Sequence, residues 1–187
     1  TSSLKPTTAI SLEQWLNADN WNAGTSSSNY KCALSCTQGG GYSHNIWNGT
    51  FNSYIYAGGR YLVPSASVSS LSGWHHFVTT FDGQYAKLYV DGSLANTDDY
   101  GSPNKTMTYA SNSIFIGAEA GAGTSPEGYY WQGKISNTSI YNRALNDAEV
   151  SQNYNNTKMR YSLVQDGLVA NLINPPSSVT TWTDASS

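Results

Sequence analysis

The stretch from Trp74 to Ala95 constrains the fold more than any other part of the chain. Strong strand formers alternate in Trp74-His75-His76-Phe77-Val78-Thr79-Thr80-Phe81 and again in Tyr85-Ala86-Lys87-Leu88-Tyr89-Val90. Asp82-Gly83 separates these runs, and Asp91-Gly92 separates the second from Ser93-Leu94-Ala95. An Asp-Gly pair supplies the positive φ that a tight hairpin needs, so the stretch is expected to form a three-stranded antiparallel meander. Ala9 to Leu16 alternates in the same way. Ser113 to Gly117 and Gly133 to Tyr141 read as two further strands, separated by a Gly/Ser/Pro-rich loop from Ala118 to Gly128. One segment has helical signals: Asn146-Asp147-Ala148-Glu149 places Glu three residues after a capping Asn, and it leads into Val150 to Tyr154. Short strands at regular spacing with one short helix near 146–155 predict an all-β, two-sheet antiparallel sandwich.

A chain of 187 residues supports a single core. Its formal net charge of -3 leaves no basic surplus for phosphates, which argues against a nucleic-acid partner. Neither a run of about 18 apolar residues nor a charged-then-apolar leader is visible, so no membrane insertion is expected. Charged residues make up only 11% of the chain, and Ser, Thr, Asn, Gly and 14 Tyr take their place. A surface of that kind hydrogen-bonds without ionising. Cys32 and Cys36 sit in an alternating stretch. Four residues of strand span about 13 Å, beyond the reach of a disulfide, so buried free thiols are the favoured reading and a tight-loop bridge the alternative. The histidines His44, His75 and His76 lack zinc spacing.

The order Trp74-His75-His76-Phe77, Phe81-Asp82-Gly83, Lys87-Leu88-Tyr89-Val90-Asp91-Gly92 and Ile140-Tyr141-Asn142-Arg143-Ala144-Leu145 resembles the laminin-G-like family of concanavalin A-like jelly rolls, from about Ile10 to Tyr154. The resemblance implies two curved antiparallel sheets, and a family of carbohydrate-binding, adhesion and structural modules. Where family members carry acidic residues after the Gly-x-Ile step, this chain has Ser136 and Asn137, so no ion contact is carried over. The glycosidase branch sets two carboxylates about 5 Å apart across the scissile bond. Here Glu13, Glu119, Glu127 and Glu149 are scattered, and no enzyme activity is expected.

Asn153 to Tyr161 resembles the closing segment of such modules in tailed-phage and other virion structural proteins. Asp166-Gly167-Leu168-Val169-Ala170-Asn171-Leu172, followed by Thr180-Thr181-Trp182-Thr183-Asp184, resembles the segment that opens a module. The chain therefore divides into a sandwich over 1–160 and a C-terminal segment over 161–187. Leu168, Val169, Leu172 and Trp182 are the candidate assembly residues. The segment either completes its own sandwich or adds to a neighbouring subunit as an exchanged strand, and exchange is the favoured reading. A third reading makes it the start of a further repeat.

Trp47, Tyr129 and Tyr130 are candidate sugar-stacking residues, because aromatics beside Asn and Gly stack on pyranose rings while amides bond hydroxyls. Tyr54 and Tyr56, which with Trp47 flank a Gly/Asn-rich stretch, are weighed for the same role, but core packing is the favoured reading for Trp74, Trp131 and the alternate tyrosines. His75 and His76 read as strand residues with no acid or serine arranged around them. Asp98 and Asp99 are weak calcium candidates in what reads as a turn, where six to eight oxygens are not on offer, so no cofactor is expected and calcium is not favoured. These readings lead to a non-catalytic structural and assembly module of a virion or extracellular filament that self-associates, head to tail, on a virion or extracellular surface. The alternative is a lectin-type adhesion module with a glycan partner.

Overall fold

The computed structural model describes residues 4–22, 30–37, 39–111, 113–120, 125–162, 172–173 and 183–184. In chain order the strands are β1 (Ile10–Ala18), β2 (Lys31–Ser35), β3 (Tyr42–Trp47), β4 (Thr50–Ala57), β5 (Arg60–Leu62), β6 (Ser65–Ser67), β7 (His75–Phe81), β8 (Tyr85–Val90), β9 (Ser93–Asp99), β10 (Phe115–Ile116), β11 (Glu119–Ala120), β12 (Pro126–Gly128) and β13 (Gly133–Tyr141). Helices α1 (Asp147–Thr157) and α2 (Met159–Ser162) follow, then β14 (Leu172–Ile173) and β15 (Thr183–Asp184). One sheet runs β13-β1-β7-β8-β9. The other runs β10-β2-β3-β4-β5, with β6 beside β4. All strand pairs of the two sheets are antiparallel, so the chain is the expected all-β two-sheet sandwich.

The expected meander is β7-β8-β9, with Asp91 at φ 50 and Gly92 at φ 77 turning the second hairpin. Its third strand is longer than the Ser93 to Ala95 run suggests and reaches Asp99, because pairing with β8 resumes after a bulge at Ala95 and continues to Tyr85. The strand expected at Ser113 to Gly117 shortens to Phe115–Ile116. The loop expected from Ala118 to Gly128 contains two short paired strands, β11 and β12. The helix forms where its capping box stands, Asn146 accepting from the Glu149 backbone N–H and Glu149 accepting from that of Asn146, and it runs on to Thr157.

The inner faces meet in two clusters. Ile10, Leu12, Leu34, Tyr42, Ile55, Leu62 and Phe81 make the first, and Leu16, Trp21, Ala33, Ile46, Phe51, Phe77 and Leu88 the second. Phe51 stacks on Phe77 across the sheets at 4.0 Å. A polar relay crosses the same interior: Gln14 bonds His44 Nδ1 at 3.0 Å, and His44 Nε2 bonds Thr79 at 2.9 Å. Burial pushes the His44 imidazole down to about 3, so the relay is neutral at ordinary pH. Cys32 and Cys36 are both free and buried, as favoured from the spacing.

Among the described residues, both faces of β1 are covered. Helix α1 lies on the outer face of the first sheet, where Val150 and Leu145 pack on Val78 and Tyr89. Ser11 fastens the approach to the helix, its hydroxyl donating to the Arg143 carbonyl and accepting from the Leu145 N–H, both at 2.8 Å.

Candidate functional site

The outer face of the second sheet has the opposite character. Strand β4 alternates between buried Phe51, Ser53, Ile55 and Ala57 and half-buried Asn52, Tyr54 and Tyr56. The buried set fills the interior, so Tyr54 and Tyr56 stand on the outer face about 7 Å apart along the strand. On β5, Tyr61 pairs with Tyr56, and its ring touches both, at 4.8 Å from Tyr56 and 5.7 Å from Tyr54, edge to face in each case. Strand β3 adds Ser43 opposite Tyr54, Asn45 opposite Asn52, and Trp47 opposite Thr50. Strand β2 adds Cys32 opposite Asn45 and Ser35 opposite Ser43. Tyr30 immediately precedes β2, at the Trp47 end of this row.

The chain after β10 folds across the β2 side of this face. The Gly117 N–H donates to Ala33, the Cys32 N–H donates to the Tyr129 carbonyl, and the Ala120 N–H donates to Ser35 Oγ at 3.1 Å. Glu119, half-exposed, precedes Ala120 and is thereby held on the strand beside the buried Ser35 hydroxyl. Tyr129 meets the Tyr30 ring edge-on at 5.1 Å.

Burial is the main influence holding the phenols of Tyr30, Tyr54 and Tyr61 above their ordinary value, and the negative charge of Glu119 reinforces it at all three. They therefore remain protonated donors at any physiological pH. Burial likewise pushes the Cys32 thiol well up, so it is no nucleophile. Asn45 is fully buried in this layer and its Oδ1 has no hydrogen-bond partner among the described residues, a cost of about 1–3 kcal/mol that an apolar residue would avoid.

Of the stacking residues expected from sequence, Trp47 (45% exposed) and Tyr129 (39%) lie at the Tyr30 end of the face, and Tyr130 (62%) follows at a bridge to Cys32. The core assignment for Tyr54 and Tyr56 is corrected, because the inward positions of β4 go to Phe51, Ile55 and Ala57. Trp74 and Trp131 are only partly buried: Trp74 lies on Tyr161 at 5.0 Å and Trp131 meets Trp21 at 6.3 Å. Tyr30, Tyr61 and Glu119 went unrecognised. The alternation of Phe51 to Ala57 was the signal for the face, but Glu119 lies 65 residues beyond Tyr54 and no local pattern links them.

The weak calcium candidates do not converge. Asp98 and Asp99 are successive residues of β9 rather than a turn. Asp98 accepts from the Val63 N–H at 2.8 Å, and Asp99 from Gln84 and the Gly101 N–H. Among the described residues no group of three or more His, Cys, Asp or Glu is placed to hold a metal ion. The histidine pair is also corrected: acids do surround it. His76 Nε2 donates to Glu13 at 2.8 Å, fully buried, and His75 bonds Asp91 at 2.7 Å. Of the assembly residues, Leu168, Val169 and Trp182 lie outside the described residues. Leu172 is described only as a backbone pair with Asp184.

Two packed antiparallel sheets with an aromatic and amide-rich outer face define a β-sandwich of the lectin type. The chain belongs to the Laminin_G_3 family of the concanavalin A-like lectin/glucanases superfamily, whose sequence model matches residues 1–151. A search of curated proteins found no match. Among solved structures, the chain is similar to the botulinum neurotoxin serotype D binding domain, with TM-score 0.61, 15% identity, and 82% of this chain against 37% of that one covered. It is similar also to the binding domain of Paraclostridial Mosquitocidal Protein 1, with TM-score 0.57, 15% identity, and 80% of this chain against 37% of that one. A third is the serotype D ligand binding domain in complex with N-acetylneuraminic acid, with TM-score 0.60, 16% identity, and 82% of this chain against 37% of that one. The chain thus spans little more than a third of these structures, and likeness at such identity concerns the fold.

Proposed function

We propose that the chain is a non-catalytic carbohydrate-binding module, and that its ligand lies along the outer face of the second sheet. The contact of Tyr61 with both Tyr54 and Tyr56 carries this reading, because it makes one continuous patch of aromatic carbon and phenolic donors out of three residues on two strands. Asn52, Trp47 and Tyr129 extend it. A low density of charge suits a ligand made of hydroxyls, and the solved complex with N-acetylneuraminic acid indicates a saccharide ligand for one protein that shares the fold. Binding is favoured over hydrolysis because a glycosidase flanks its bond with two carboxylates. Among the described residues, Glu119 is the one carboxylate whose charge raises the phenols of Tyr30, Tyr54 and Tyr61. Glu13 is buried against His76, and Glu149 is bonded to Arg143. An extracellular or surface setting follows from such a function, and no helix among the described residues is long and apolar enough to cross a membrane.

The test is a glycan array followed by titration calorimetry on the chain and on Tyr56→Ala and Tyr61→Ala. Each substitution should weaken binding about tenfold, equivalent to about 1.4 kcal/mol, with the melting temperature kept. Binding that survives both changes, or an array with no hits, overturns the reading.

A second reading, self-assembly in a virion or filament, is favoured by the edge strand β13. Six of its nine residues are half-buried, Ile135, Ile140 and Tyr141 among them, whereas six of the seven residues of β9, the other edge of that sheet, are exposed. Tyr161 is bonded to Ser136 on β13 at 2.9 Å, so α2 ends beside an edge able to accept a strand. Under this reading the intact chain sediments as an oligomer, the chain ending at Ser162 sediments as a monomer, and the added segment binds as a peptide. Identical sedimentation of the two chains, with no peptide binding, counts against it.

A further inference from the structure

We infer that the tyrosine face holds an internal stretch of a linear, neutral glycan chain, laid along β4 from Tyr61 to Trp47, and not a single terminal sugar. The inference rests on the reading of this face as a glycan-binding surface and adds the form of its ligand.

The first ground is the length of the face. The outward positions of β4 are Thr50, Asn52, Tyr54 and Tyr56, each half-buried, and the six residues of strand from Thr50 to Tyr56 span about 20 Å. Aromatic side chains stand at both ends. Tyr61 lies opposite Tyr56, and its ring meets those of Tyr54 and Tyr56. Trp47 lies opposite Thr50 at the far end. The Asn48-Gly49 turn beyond Trp47 has both residues at positive φ, 51 and 66, and the Gly49 carbonyl accepts from the Val68 N–H at 2.8 Å, so the hairpin end that carries Trp47 is fixed. One sugar ring is too small to touch both ends.

The second ground is what lies between them. Strand β6 sets Ser65 opposite Asn52 and Ser67 opposite Thr50. The Ser53 N–H donates to the Pro64 carbonyl at 3.1 Å, which keeps this flank joined to β4 between β5 and β6. Asn52 Nδ2 donates to the Thr50 carbonyl at 3.2 Å, and its amide is oriented by that bond. Small hydroxyls and an amide between aromatic ends give a chain room to lie flat and partners for its hydroxyls. Thr50, Asn52, Tyr54, Tyr56, Ser65 and Ser67 carry no charge, which matches a neutral chain.

The third ground is Tyr129. It has φ 51, a left-handed conformation uncommon for a bulky side chain. Its carbonyl accepts from the Cys32 N–H, and its ring meets Tyr30 edge-on at 5.1 Å, at the Trp47 end of the row. Strain of this kind gathers at ligand clamps. A chain leaving the tyrosines along β4 arrives there, and two contact points joined by one ligand bind it more tightly than either does alone.

The experiment is titration calorimetry on the full chain with cello-, laminari-, manno- and N-acetylchito-oligosaccharides of two and of six units, and with N-acetylneuraminic acid. At least one hexamer should bind at least tenfold more tightly than its dimer. Trp47→Ala should bring that ratio below threefold. Tyr129→Gly should do the same with the melting temperature kept, because glycine accepts a φ of 51 without strain. Should Trp47→Ala fail to fold, the length series on the intact chain and on Tyr129→Gly decides. A dimer, or N-acetylneuraminic acid, that binds as tightly as every hexamer overturns the inference and leaves the glycan reading standing, as does a length gain that survives both substitutions. Glycan-array hits with no hexamer bound overturn it in the same way. If no hexamer binds and the array is also empty, the glycan reading fails and this inference with it.

Discussion

At the scale of single residues, the most consequential group is Glu13. It is 6% exposed and accepts from His76 Nε2, from the Tyr141 hydroxyl at 2.7 Å and from Asn153 Nδ2 at 2.9 Å, so β1, β7, β13 and α1 meet on one carboxylate. Burial, the largest influence, pushes the carboxyl up, but the hydrogen bonds and the His76 charge together bring it below the ordinary 4.5. A group depressed on folding stabilises fully above its unfolded value, and that contribution is lost as pH falls through the folded value. His75 works the other way. Burial lowers it, but Asp91 and the Ser72 carbonyl raise it above 6.5, so its contribution is full below that value and is lost as pH rises through the folded one. Glu13→Ala should cost about 3 kcal/mol in a denaturant titration, the order expected on breaking a buried pair. Glu13→Gln should flatten the acid limb of stability against pH. An unchanged acid limb would assign acid unfolding to other carboxylates.

At the scale of elements, the helical segment acts as a clamp on the first sheet. Trp15 Nε1 donates to Thr157 at 3.0 Å, and the Trp15 ring stacks on Tyr161 at 4.1 Å and on Tyr154 at 5.9 Å. Losing the clamp would expose both Trp15 and the Glu13 pair. The helix start is set by Asn146, and Asn146→Ala should cost about 1 kcal/mol, read as a shift in the denaturant midpoint at constant slope. Gly92 couples the β8–β9 turn to this clamp. Its φ is 77, and a Cβ there would fall 2.9 to 3.1 Å from Tyr154 ring and side-chain atoms. Gly92→Ala should therefore cost about 2 kcal/mol, from positive φ and overpacking together. Pairing this change with Tyr154→Ala should recover part of the loss; recovery of nothing would place the whole cost in the turn.

At the scale of the whole molecule, the two outer faces divide the labour. One is covered by α1 and α2 and closed over the buried hydrogen bond between Glu13 and His76, while the other is left half-open with tyrosines. The open face is predicted to tolerate change, because its residues contribute little to the core. Tyr54→Ala and Tyr56→Ala together should shift the melting temperature far less than Phe51→Ala alone, which removes about 3–5 kcal/mol from the packed interior. Equal shifts would mean that the tyrosines belong to the core after all. The edge strand β13 is the other open feature, and whether residues 163–187 engage it is decided by the sedimentation comparison described above.

Local periodicity was enough to read the sandwich, the β7-β8-β9 meander and the capped helix, because Asp-Gly turns, alternation and capping boxes act between neighbours in the chain. Trp47 and Tyr129 were also legible as exposed aromatics near turns. The sites depended on distant partners. Glu13 meets His76 and Asn153, 63 and 140 residues away, and Tyr54 meets Tyr61, only once the strands have taken their places in the sheets and α1 has packed on the first of them. Alternation says that a strand has two faces. It does not say which face a second sheet covers, which a helix covers and which is left for a ligand, because those depend on sheet order and register. The sequence by itself determined the kind of fold and its turns, and the tertiary structure alone decided that one face buries the Glu13–His76 hydrogen bond while the other gathers tyrosines from two strands into one patch.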